Sequence, residues 1–196
     1  MSGAAGSSQW MYATGYEVDQ SLRLNGNGDL TRTPGASNRR TYTLSAWIKR
    51  TGLMSASNCQ MSLLDVYVDT NNFTRIVIES DDQLQLLSRV GNQNKHFLKT
   101  TQKFRDPNAW MNIVVAHDTT QATASNRVLV HVNGVLITNW STETNPSQNL
   151  DSASFNAASQ HRIGNERSDS REFNGYLAEM HFIDGMSFFS NTSLTN

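Results

Sequence analysis

Arg127 to Thr138 reads RVLVHVNGVLIT, two valine-rich runs on either side of Asn133-Gly134. An Asn-Gly pair in that setting predicts a two-residue hairpin, because both central positions of a type I′ turn need positive φ. Val128, Val130 and Val132 then share one face and His131 lies on the other. The same period of two recurs outward from the hairpin. Tyr42 to Arg50 (YTLSAWIKR) places Tyr42, Leu44, Ala46 and Ile48 on one side and Thr43, Ser45, Trp47 and Lys49 on the other. Phe73 to Glu79, Gln83 to Arg89 and Trp110 to His117 are rich in β-branched, aromatic and other apolar residues between polar or glycine-containing breaks. Gly175 to Asp184 alternates Tyr176, Ala178, Met180 and Phe182 with Leu177, Glu179, His181 and Ile183. Its bracketing glycines favour a strand over a helix. Polar connections are expected at 25–40, 90–95, 119–126 and 141–159, the last holding the one short helical turn. Many short strands with turns between them predict an all-β fold, a two-sheet antiparallel sandwich or else a barrel. Trp47 and Trp110 are expected in its core, and several strands are apolar enough on both faces for part of a sheet to be covered on its outer side.

Composition narrows the function classes. A chain of 196 residues, 37% hydrophobic and 17% charged, can bury one substantial core. Sixteen basic against 17 acidic side chains leave a net charge of -1, so no broad attraction for nucleic acid is expected. Cys59 is the only cysteine, which excludes an intrachain disulfide and a thiolate metal cluster. Met1 to Gln9 shows no secretory leader pattern, and no apolar run is long enough for membrane insertion.

The block at 21–50, SLRLNGNGDLTRTPGASNRRTYTLSAWIKR, resembles the opening of concanavalin A-like, or laminin G-like, jelly-roll domains, in a version found in structural proteins of tailed bacteriophages. WMNIVV at 110–115, VHVNGV at 130–135, RIGN at 162–165 and FNGYLAEMHFIDG at 173–185 follow in the family's order. The resemblance implies a laminin G-like sandwich over 16–185, with an N-terminal arm at 1–15 and a C-terminal segment at 186–196. It also implies a virion protein on the particle surface, in a tail fibre or another appendage, that binds host-cell polysaccharide or another receptor. A purely structural capsid or tail decoration is the alternative. Other virion proteins are the expected partners, and a homo-oligomer the expected state.

The fold hosts lectins and hydrolases alike, so the residues must speak for chemistry. Glycosidic cleavage with retention needs two carboxylates about 5–5.5 Å apart, and the Glu-x-Asp-x-x-Glu spacing that supplies them is missing from EVD at 17–19, ESDD at 79–82 and ERSDSRE at 166–172. The last cluster alternates with Arg167 and Arg171 and reads as a solvated, self-neutralising loop. His96, His117, His131, His161 and His181 stand singly, without zinc-ligand spacing. His131 and His181 read as sheet-surface side chains. No nucleophile elbow is present, so no enzyme activity and no cofactor are expected. The resemblance leaves room for a structural calcium, with Asp65 and Asp118 the first candidates among Asp65, Asp69, Asp81, Asp82 and Asp118 at strand ends. For a sugar, the aromatics expected at loops or strand edges are Trp10, Tyr12, Tyr16, Phe97 and Trp140, with Asn92 and Asn94 as hydrogen-bonding neighbours.

Overall fold

A computed structural model describes residues 20–26, 28–52, 60–166 and 171–188. Thirteen strands run in chain order: β1 Leu22–Asn25, β2 Leu30–Arg32, β3 Thr41–Arg50, β4 Met61–Asp69, β5 Asn72–Ile78, β6 Gln83–Val90, β7 Gln93–Lys103, β8 Met111–Asp118, β9 Val128–Val132, β10 Val135–Leu136, β11 Trp140–Thr144, β12 His161–Ile163 and β13 Asn174–Asp184. They form an antiparallel six-stranded sheet, β1-β13-β3-β8-β9-β10, and an antiparallel seven-stranded sheet, β11-β7-β6-β5-β4-β12-β2. The chain is an all-β sandwich, and no helix among the described residues is long and apolar enough to cross a membrane.

The inner face of β3 is the stripe read from the sequence: Tyr42, Leu44, Ala46 and Ile48 are all buried. They pack with Ile113, Val115, Val128, Val130 and Val132 of the same sheet against Leu64, Val66, Ile76, Ile78, Leu84, Leu86 and Leu98 of the other. The hairpin turn has φ of 51° at Asn133 and 78° at Gly134, the sign a type I′ turn requires. A buried ion pair ties one end of the sandwich. Arg50, at the end of β3, lies 2.8 Å from Asp82 in the β5–β6 turn and also donates to the Phe104 carbonyl.

Several expectations are corrected. Trp47 and Trp110 are not core residues: each is only partly buried. Trp47 points away from the other sheet by alternation with Ala46 and Ile48, and the Trp110 ring lies 6.3 Å from Tyr176. β13 does not alternate simply. A bulge between Ala178 and His181, with Glu179 at φ 47°, resets the period. Leu177 faces the core before it, while Met180 and Phe182 do so after it. The short helical turn falls at Ala124–Asn126 rather than within 141–159, where β11 lies instead. The connection at 90–95 shrinks to Gly91-Asn92, and β4, β7 and the short β2 add strands that were not anticipated.

The histidines of β7 and β8 meet in the core. His96 and His117 face one another from opposite sheets with ring centroids 5.8 Å apart, and His117 stacks on Tyr42 at 4.5 Å. Neither ring nitrogen of His96 has a hydrogen-bond partner. Burial holds His96 at about 4 against the usual 6.5, and burial together with His96 puts His117 well below its usual value. A depressed folded-state value means that the stability tied to these neutral rings is present above about pH 6.5 and is lost as pH falls toward 4. We expect the thermal midpoint of His96→Met to drop less between pH 7 and pH 5 than that of the parent, by differential scanning calorimetry. Equal drops would contradict the buried neutral pair.

Candidate functional site

The register of β4 to β7 builds a patterned surface on the outer face of the seven-stranded sheet. Tyr67, Phe73, Arg89 and Asn94 lie opposite one another in one transverse row, and Asp65, Arg75, Leu87 and Phe97 in the next. A third row runs from Val77 through Gln85 to Lys99. Because neighbours on one face of a sheet are only about 5 Å apart, these rows are continuous.

Phe73 is the hub of the first two rows. The Arg75 guanidinium lies 4.0 Å and that of Arg89 5.5 Å from its ring centroid, while Tyr67 stacks beside it at 6.1 Å. Such cation–π contacts strengthen as they are desolvated, and Arg75 is buried. Arg89 also donates from Nε to Asn94 Oδ1 at 3.2 Å, which fixes both polar groups beside the aromatic row.

One half of this face is covered. Ser62 N donates to the Arg171 carbonyl at 3.1 Å, and Arg171 reaches Gln60 and Glu166. Arg75 lies 3.6 Å from Glu166 and 3.9 Å from Asp65. Asp65 is 1% exposed, and neither of its carboxylate oxygens has a hydrogen-bond partner. Burial therefore raises it to about 7, with Arg75 opposing and Glu166 adding to the shift. Within the acidic cluster Glu166 pairs with Arg171 but is buried rather than solvated, and Arg167 and Asp169 lie outside the described residues. Gln60, Glu166 and Arg171 supply outer cover of the kind expected from the two-faced apolar strands. Beyond it, Leu87, Arg89, Phe97 and Lys99 stay partly exposed.

Of the sugar-site residues read from the sequence, Phe97 and Asn94 come together here, and Asn92 occupies the β6–β7 turn at the margin with φ 64°. Phe97 belongs to the middle of a strand, not to a loop. Trp140 packs against the hydrophobic core from the edge strand β11. Tyr16, Trp10 and Tyr12 lie outside the described residues. Tyr67, Phe73, Arg75 and Arg89 were not singled out in the sequence. The signal for them was alternation in the separate strands that carry them, and nothing there shows which face is free.

Asp65 and Asp118 do not form one site. Asp65 sits mid-strand in one sheet beside a guanidinium, and Asp118 ends a strand of the other sheet. Asp118 accepts from Thr120 N at 2.9 Å, Thr120 Oγ1 at 2.6 Å and Gln121 Nε2 at 2.6 Å, a turn-forming role that Asp commonly takes. No group of three or more His, Cys, Asp or Glu suited to a metal occurs among the described residues. These two carboxylates do not supply the oxygen-rich shell that calcium needs.

A family model described as the Concanavalin A-like lectin/glucanases superfamily matches residues 24–186. No curated protein sequence matches the chain. Among solved structures, a native heptameric SAP-like pentraxin from Limulus polyphemus is 15% identical with a TM-score of 0.59, over 88% of this chain and 78% of its own. Domain 4 of AbnA, a GH43 extracellular arabinanase from Geobacillus stearothermophilus, in complex with arabinotriose, is 20% identical with a TM-score of 0.61, over 85% of this chain and 71% of its own. Mouse laminin alpha1 domains LG4-5 are 11% identical with a TM-score of 0.57, over 84% of this chain and 41% of theirs. At these identities the likeness is one of fold.

Asp65 titrates in the opposite sense to the core histidines. Its value is raised from 3.8 to about 7, so its favourable contribution is complete below about pH 4 and is lost as pH rises through 7. Asp65→Asn is expected to gain on the parent by a few kcal/mol at pH 8 and by little at pH 4 in urea unfolding. A constant difference between the two variants across that range would contradict the assignment.

Proposed function

Because the chain belongs to the Concanavalin A-like lectin/glucanases superfamily, we propose that it is a non-catalytic binding module that holds a host-surface glycan or another receptor on the outer face of its seven-stranded sheet. The observation that carries this reading is the partly exposed strip of Leu87 and Phe97, flanked by Arg89 and Asn94 on one side and by Lys99 on the other. An apolar strip rimmed by donors and acceptors suits a sugar ring, which has an apolar face and polar edges. The strip is open rather than enclosed, and that favours several units of an extended chain over a single small molecule. The AbnA domain, bound to arabinotriose, is a precedent for an oligosaccharide on a related sandwich.

The order of the motifs from 21 to 185 supports placement on the surface of a tailed-phage virion, in a tail fibre or similar appendage. Repetition of the domain there would multiply a weak site. A structural role in assembly is the second reading. It is favoured by Val135 and Leu136, which are 68% and 41% exposed on the edge strand β10, where a free apolar edge invites another chain.

A labelled domain on an array of bacterial surface polysaccharides is expected to bind a defined subset. Phe97→Ala and Arg89→Ala should each weaken that signal about tenfold, which corresponds to ~1.4 kcal/mol, while Trp140→Phe leaves it unchanged. Background on every polysaccharide, or a signal indifferent to Phe97 and Arg89, would reject the glycan platform. Loss of polysaccharide viscosity on incubation would reject the non-catalytic reading.

A further inference from the structure

The two sheets part at one edge, where β1 ends the six-stranded sheet and β2 ends the seven-stranded one. A groove of about 630 Å³ opens there over Leu64, Ile163, Met180 and Phe182, and a hollow of about 470 Å³ continues it over Leu22 and Leu177. Leu30, Ile163 and Met180 line both. The groove follows β13 from Leu177 to Asp184, about 20 Å at the ordinary strand rise. Its two ends differ in chemistry. Leu22, Leu177 and Ala178 line one end beside Gln20, Ser21 and Glu179, whereas Arg32, His161, Asn156 and Asp184 gather at the other.

The Arg32 end is organised. Asn156 has φ 58°, an uncommon conformation for a residue other than glycine. Its Nδ2 donates to the Asn38 carbonyl at 2.6 Å and to Asp184 Oδ1 at 2.8 Å. His161 Nδ1–H donates to the Ser159 carbonyl at 2.9 Å, and its Nε2 accepts from Asn156 N at 3.3 Å, so both ring nitrogens are engaged and the ring is neutral. Arg32 differs from these neighbours. It is exposed, and among the described residues its guanidinium has no hydrogen-bond or ion-pair partner. Asp184 already accepts a donor, whereas Arg32 has nothing to donate to, and a guanidinium pairs best with a planar, two-oxygen anion.

We propose that this seam is a second binding site, separate from the sheet face, which takes an elongated amphipathic carboxylate with its chain along Leu22, Leu30, Ile163 and Met180 and its carboxylate on Arg32. The full chain with ¹³C-methyl methionine can be titrated with decanoate, decanol and decyltrimethylammonium below their aggregation limits. The Met180 signal is assigned from Met180→Leu. Decanoate is expected to shift Met180 saturably and at least tenfold more tightly than decanol. Arg32→Met should remove that preference, while Phe97→Ala leaves it intact. The site is refuted by an unmoved Met180, by equal response to all three amphiphiles, or by preference for the ammonium. A Met180 signal that changes with protein concentration and not with decanoate also refutes it, and assigns the groove to a second copy of the chain.

Discussion

The stripe Tyr42, Leu44, Ala46 and Ile48 of β3, laid against Ile76, Ile78, Leu84, Leu86 and Leu98 of the facing sheet, is the contact on which everything else in this molecule depends. Neither helix packing nor an intrachain disulfide is available to hold the described strands together. Each fully buried side chain of this size contributes roughly 1.5–3 kcal/mol, and that is what keeps the two sheets face to face. The Arg50–Asp82 pair joins the sheets at one end. It is a buried charge pair, so removing one partner would cost far more than the pair contributes over an apolar substitute.

Once the inner faces are committed to this contact, a period of two sends the intervening residues outward. On the seven-stranded sheet these are Tyr67, Phe73, Arg75, Leu87, Arg89 and Phe97. Glu166 and Arg171 pack beside Asp65 and Arg75, while Leu87 and Phe97 stay partly in solvent. The platform is thus a by-product of the core register, sharpened by two guanidiniums packed on the Phe73 ring. The buried groups beneath and beside it pull in opposite directions with pH. His96 and His117 weaken the fold as pH falls, while Asp65 weakens it as pH rises from about 4 through 7.

The sequence disclosed the inner faces well and the outer faces poorly. Strict alternation in YTLSAWIKR and RVLVHV, and the Asn-Gly turn, reported local geometry that tertiary structure did not override. β4 was missed because MSLLDVYVD is apolar on both sides and interrupted by Asp65, whose burial beside Arg75 depends on residues 100 positions away. β7 was missed because QNKHFLKTTQK looks like a polar connection, although its His96, Leu98 and Thr100 face inward. Trp47 and Trp110 were misplaced for a related reason: aromatic character signals burial on average but not the side of a strand. Phe97 and Asn94, two candidates for a sugar site, fall on one face of the sheet. The arginines that complete it were invisible, because cross-strand neighbours are set by register and bulges rather than by distance along the chain.

If the outer face of the seven-stranded sheet is where this domain meets its ligand, the ligand must perturb that face and spare the others. Amide chemical-shift mapping with an oligosaccharide fragment of a bound polysaccharide tests this most directly. The account predicts the largest shifts on β6 and β7 around Leu87, Arg89, Asn94 and Phe97, with the six-stranded sheet and the β1–β2 seam undisturbed. Shifts centred on the β7–β8 loop beside Trp110, or on the six-stranded sheet, would contradict it.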